Sequence, residues 1–281
     1  MCGSYNAFTD DSTLYVTVTP RVFCYTISTS SWSQLPGSPT YSCTLVVIKN
    51  LLTLVGGRRY DIQASITNQL FSLTGEGSGR RWTEEFPPMP TKRSGTIVLC
   101  TKAAPIVAGG ENNESVLHYV SGLKEVEVMN TETLQWSTAA ALPQPLMLAP
   151  ASVCGDQIYI LGESTIYTCS LHALLQSCKS FLASFRNRGA KVWKEVAAPP
   201  VTLITCVSIH GQLLAIEGDD SNYKFSTVIH MYNQITDSCE VISHMGTSRY
   251  KYNCIAAILL DSQQMVVVSW CSLVATIKKN V

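Results

Sequence analysis

The chain has no excess charge: 20 Lys plus Arg balance 20 Asp plus Glu, which excludes a general electrostatic attraction to nucleic-acid phosphates or anionic lipid. Charge of either sign is scarce, at 14% of residues against 46% hydrophobic. That balance excludes long disordered tails and allows a large buried core. Long apolar runs are missing too. Stretches such as 255–260 fall far short of the roughly 18 residues a membrane-spanning helix needs. The first ten residues hold no cationic and apolar leader, so the expected compartment is the reducing cytoplasm rather than the secretory route.

The usual signatures of catalysis are equally absent. None of the 11 cysteines forms a Cys-x-x-Cys pair. Their odd number and their positions in apolar runs, as at Cys43, Cys100, Cys154, Cys206 and Cys254, point to buried thiols. The histidines, at 118, 172, 210, 230 and 244, show no His-x-x-x-His spacing, which removes a helix-borne metal pair. His230 alternates with Ile229 and Met231 and reads as a strand-surface histidine. Gly75, Gly77 and Gly79 begin a dinucleotide-binding fingerprint, but Arg80 stands where its last glycine belongs. A hairpin loop is the expected structure there. No phosphate-cradling loop and no Gly-x-Ser-x-Gly elbow occurs, so no catalytic residue, metal ligand or cofactor is assigned.

What the chain does contain is a repeat. Glycine pairs end apolar runs at Gly56-Gly57 and Gly109-Gly110, with degraded copies at Gly162-Glu163 and Gly218-Asp219. Trp32, Trp82, Trp136 and Trp193 recur at nearly the same interval, each followed by a proline turn such as Leu35-Pro36, Pro87-Pro88 or Leu142-Pro143. Two markers keeping one period of about 50 residues mean a supersecondary unit that cannot bury its apolar face without its neighbours.

Each unit opens on an apolar run (LLTLVGG, APIVAGG, QIYILGE, QLLAIEGD) that reads as a strand buried on both faces. The glycines then permit a turn that side chains forbid. An alternating run follows, clearest at 125–129 and 228–232, and predicts a half-buried second strand. A third strand carries the tryptophan and ends at the proline, which cannot donate to a ladder. A fourth run, such as 42–48 or 95–100, completes the unit. Four short antiparallel strands per unit match a propeller blade.

The glycine pair, the alternating strand, the tryptophan and the Leu-Pro turn together resemble the kelch repeat. The resemblance implies an all-β propeller of four-stranded antiparallel blades at about 12–48, 51–100, 103–154, 157–209 and 212–260. A sixth blade would be composite and incomplete, drawing on 263–277 and on 3–9. Its unpaired strands predict self-association. The functional expectation is a protein-interaction module, the recognition part of an adaptor, that binds a protein or peptide through its loops. The alternative is a kelch-like enzyme, copper-oxidase-like or sugar-processing, with its site in the central channel.

Aromatic and guanidinium side chains on loops are the candidate contacts. Arg93 and Arg249-Tyr250 precede fourth strands, where kelch-like adaptors often present arginines to acidic peptides. Arg58, Arg59 and Tyr60 follow a glycine pair and form a second cluster. In an up-and-down blade both groups face the same end. Insertions at 111–122 and 171–190 lengthen two loops, and Leu171, Leu174, Leu175, Cys178, Phe181, Leu182 and Phe185 predict an amphipathic helix in the second.

Overall fold

The computed structural model describes residues 5–9, 13–18, 20–26, 28–101, 104–112, 122–162, 165–178, 192–196, 203–209, 212–217, 228–244, 254–259, 264–269 and 272–278. Gly218, Arg249, Tyr250 and most of the insertions at 111–122 and 171–190 lie outside them. Residues 1–148 and 149–281 form two compact units.

The first unit holds three antiparallel sheets of four strands each. The first sheet runs Tyr5–Thr9, Thr13–Val18, Arg21–Thr26, Ser31–Leu35. Thr44–Ile48, Leu51–Val55, Leu70–Thr74 and Arg81–Thr83 make the second, and Ile97–Cys100, Pro105–Ala108, Val126–Met129 and Trp136–Thr138 the third. In the second unit, Ala151–Cys154, Gln157–Leu161, Ile166–Ser170 and Lys194–Val196 form one four-stranded sheet. Leu203–Ile209, Gln212–Glu217, Val228–Asn233 and Ser238–His244 form another. Cys254–Leu259, Gln264–Ser269 and Ser272–Lys278 close the chain as a three-stranded sheet.

The strand count per sheet is as expected, but the sheets are cut one strand earlier than the sequence units. The run at 44–48, expected to end the unit 12–48, instead pairs with Leu51–Val55. The connection explains why. Only Lys49 and Asn50 separate the two strands, and both have positive φ, 48° and 62°, the geometry that matches the twist of an antiparallel hairpin. The chain back to the preceding strand crosses residues 36–43 and makes no such turn. A second correction concerns the N-terminus. Tyr5–Thr9, expected to complete the last blade, pairs with Thr13–Val18 in the first sheet, and the last sheet has three strands taken from 254–278 alone.

Burial also departs from the alternation read in two strands. All four residues of Val126–Met129 are buried, Glu127 among them. His230, expected on a strand surface, is 7% exposed. Both strands lie inside their sheets, covered on two faces, so the polar residue between apolar ones is enclosed as well. In the 171–190 insertion the described helix, α1, spans Leu171–Ser177. Ser170 caps it by accepting from the Ala173 N–H, and Leu174 is its buried residue. Leu171, Leu175 and Cys178 are half-buried beside it, while Phe181, Leu182 and Phe185 of the expected apolar stripe lie outside the described residues.

Apolar clusters fill the spaces between neighbouring sheets. Val22, Cys24 and Leu35 of the first sheet or its edge meet Leu45, Leu52, Leu54 and Phe71 of the second. Val46, Val55 and Leu70 of the second, with Phe86 and Met89 after it, meet Val107 and Met129 of the third. In the second unit Cys154, Tyr159 and Leu161 meet Cys206, Leu213 and Tyr232. Each fully buried aliphatic side chain contributes roughly 1.5–3 kcal/mol, so each of these pairs of sheets stabilises its two members together.

The eight cysteines whose side chains the structure describes are thiols rather than disulfides. Burial pushes Cys100 and Cys169 up to about 12 and Cys239 up to about 11, and it raises Cys43 and Cys206 as well. Thiolate is the reactive form. These positions should therefore resist Ellman's reagent at pH 7.5 in the native protein and react at once in urea, as mass-mapped labelling would show.

Candidate binding surface on the blade loops

The glycine pairs turn two sheets toward each other. Gly56 and Gly57 have φ of 64° and 97°, and Gly109 and Gly110 have 60° and 91°. A Cβ on Gly56 would lie 2.5 Å from Arg93 O, and one on Gly109 would lie 2.2 Å from Leu146 O. The second glycine of each pair uses that approach. Gly57 N–H donates to Arg93 O at 2.9 Å and Gly110 N–H to Leu146 O at 2.8 Å. The incomplete copy at Gly162 differs, its N–H donating to Thr165 O.

These turns bring loops of the first unit together at one end of its sheets. Gly95 N–H donates to Ser42 O and Leu148 N–H to Gly95 O, both at 2.8 Å, so three loops that lead into first strands are tied in series. Arg58 and Glu111, each the residue after a glycine pair, form an ion pair across neighbouring sheets, with Nε and Nη2 donating to Oε1 at 3.2 and 2.9 Å. Arg58 also donates to Ala64 O, and Ser94 Oγ to Glu111 Oε1. With both side chains about seven-eighths covered, Arg58 braces this end rather than projecting from it.

Arg93 is enclosed altogether. Its side chain is 0% exposed and faces Glu127 at 3.0 Å, while Nη1 donates to Gly109 O at 2.8 Å and to Glu125 O at 3.1 Å. Thr91 Oγ1 donates to the other carboxylate oxygen of Glu127. Burial draws the guanidinium below its ordinary range, and the charges of Glu127 and Glu125 oppose that shift. The expectation that Arg93 presents itself to an acidic peptide is overturned: its charge is consumed inside the third sheet. Thr40 takes the corresponding role in the second sheet, donating from Oγ1 to Gly56 O at 3.0 Å.

The remaining members of the cluster face outward. Arg59 is exposed and lies over the Phe71 ring at 6.0 Å, the outer limit of a cation–π contact. Tyr60 is 52% exposed and leans on Tyr41 with ring centroids 5.4 Å apart. Partial burial, with Cys43 and Tyr41 nearby, pushes its hydroxyl up to about 12. Ile62, which sequence reasoning passed over, projects fully, at 107% exposure. The loop that carries it is pinned at both ends. Asp61 accepts from the Ser65 N–H and hydroxyl, Ala64 N–H donates to Asp61 O, and Arg59 N–H donates to Ser65 O. Those donors hold the Asp61 carboxyl below its usual range. Met147 and Leu148, 39% and 63% exposed, sit against Gly95 at the same end.

Among the described residues no group of His, Cys, Asp and Glu is placed to hold a metal ion, and no helix is long and apolar enough to cross a membrane. No protein-family model matches the chain. Two curated proteins, the kelch repeat and BTB domain-containing protein 3 of Mus musculus and of Pongo abelii, are each 24% identical to it over 233 residues. The match covers 77% of this chain and 36% of theirs, so the chain spans about a third of the length of these relatives. The solved structure of YjhT is similar with a TM-score of 0.71 at 14% identity, over 99% of this chain and 95% of that one. Four-stranded antiparallel sheets and the glycine-pair contacts at their ends, together with these similarities, support an all-β fold of the kelch-type β-propeller kind.

Proposed function

We propose that this propeller is a protein-interaction module that grips a protein or peptide partner with the loop 58–65. The observation that carries the reading is the pinned presentation of Tyr60 and Ile62, two large side chains exposed on a loop whose backbone is already fixed. A rigid loop loses little freedom on binding, and aromatic and arginine side chains dominate binding hot spots. Arg59 and Tyr60 supply both types. The relatives' name joins kelch repeats to a BTB domain, which supports reading this chain as the recognition part of a larger adaptor. The abundance of thiols suits a reducing compartment such as the cytoplasm.

Proximity labelling in cells tests the reading. Replacing Tyr60→Ala together with Ile62→Asp should lower labelling of a defined set of proteins tenfold or more. Ile235→Asp, at an equally exposed isoleucine, should leave that set unchanged. Identical profiles for all three proteins would refute the assignment. Asp61→Ala should weaken the same interactions with no change in global stability, because it frees the loop alone. The lowered carboxyl fixes the pH sense: the pin is intact at neutral pH and is lost only as the pH falls through that lowered value.

A further inference from the structure

Trp82 and Trp136 act as locks between sheets. Each sends its indole N–H to the carbonyl of a proline that follows the outermost strand of the preceding sheet: Trp82 Nε1 to Pro36 O and Trp136 Nε1 to Pro87 O, both at 3.0 Å. In both cases the residue before that proline is a buried apolar one, Leu35 or Phe86, packed in the same cluster as the tryptophan. Proline cannot continue a ladder, so the chain turns off there and its carbonyl is left for the indole. The ligand of the lock is thus an apolar–proline dipeptide.

Trp32 occupies the same place in the first sheet. It faces Tyr25 across the ladder as Trp82 faces Leu73 and Trp136 faces Met129. Cys24 and Leu35 pack toward the second sheet, so by the two-residue alternation of strands Tyr25 and Trp32 lie on the opposite face. Trp32 is 37% exposed, stacks on Tyr25 at 5.1 Å, and among the described residues no acceptor meets its N–H. Residues 31–34 are exposed, and the strand carries no charge, proline or bulge, the usual guards of an open edge.

We infer that Trp32 is an open copy of the lock and that the face built by Tyr25 and Trp32 receives an extended segment of a partner chain bearing an apolar–proline dipeptide, whose proline carbonyl accepts the indole N–H. The two filled copies define the chemistry of the occupant. The chain's own described turns of this type are engaged: Pro36 and Pro87 hold Trp82 and Trp136, and Pro143 O accepts from Lys124 Nζ. This face is separate from the loop 58–65, so the two assignments stand or fall independently.

Titration of the whole protein with the hexapeptide Glu-Glu-Phe-Pro-Pro-Met, which is the sequence of residues 84–89, provides the test. Wild type should show a saturable blue shift of tryptophan emission and reduced acrylamide quenching. Trp32→Phe keeps a ring but no donor, and should bind the peptide roughly five- to tenfold more weakly by calorimetry and lose the emission change. A peptide with Ala-Ala in place of Phe-Pro should not bind. Circular dichroism would confirm that the variant is folded. Equal binding by wild type and Trp32→Phe would overturn the inference. So would a Trp32 already shielded from acrylamide in the protein alone, whether by self-association or by the chain's own residues.

Discussion

Gly109→Ala should cost about 3–5 kcal/mol of stability, against about 1 kcal/mol for Gly77→Ala. Both residues have positive φ, 60° and 54°, so both variants bear the penalty of a side chain in the left-handed region. Only Gly109 adds a collision, since its Cβ would sit 2.2 Å from a backbone carbonyl, whereas nothing lies within 4 Å of one on Gly77. A backbone oxygen cannot rotate away as the end of a side chain can. The third sheet would therefore have to retreat from the loop at Leu146, breaking the Gly110 N–H to Leu146 O bond as it goes. Urea denaturation of both variants beside wild type measures the difference. Equal costs would show that conformation alone, and not close approach, accounts for the glycine pair.

The second large effect is expected at Arg93. Arg93→Leu should destabilise by about 3–5 kcal/mol, because it strands a carboxylate that is 2% exposed inside the sheet with no countercharge. It also removes the donors to Gly109 O and Glu125 O. Pairing it with Glu127→Leu should restore part of the loss, since an apolar pair of similar volume does not leave a buried charge. Recovery will be incomplete: Thr91 Oγ1 and Gly109 O each then lose a partner, at roughly 1–3 kcal/mol apiece, while Glu125 O keeps the Gly109 N–H. A double-mutant cycle read from denaturation midpoints gives the coupling. A strictly additive cycle would mean that the 3.0 Å contact contributes nothing.

Both residues also show what a sequence can and cannot reveal. The glycine pairs were legible because positive φ next to a packed carbonyl leaves no other residue type available, so the need is written in the residue itself. The tryptophans and prolines were legible for a related reason, each being half of one hydrogen bond repeated between sheets. Arg93 was not. Its partner lies 34 positions away by numbering, in a strand where Val126, Glu127 and Val128 alternate as a solvent-facing strand does, and only the cover on both faces shows that the glutamate is inside. The cut between sheets was hidden by the period, since a repeat fixes an interval and not its starting point. The two-residue spacing at Lys49-Asn50 was the available clue. In the loop 58–65, Arg59 and Tyr60 could be picked by residue type, but the prominence of Ile62 depends on how Asp61 and Ser65 close the turn.

The displaced cut has a consequence for how such a chain lengthens. A sequence unit such as 51–100 supplies three strands to one sheet and the opening strand of the next. Duplication of that segment would insert a newcomer already stitched to its successor by a covalent thread and to its predecessor by an indole–carbonyl bond. No fresh interface would have to be invented, and growth by whole units would keep every seam intact.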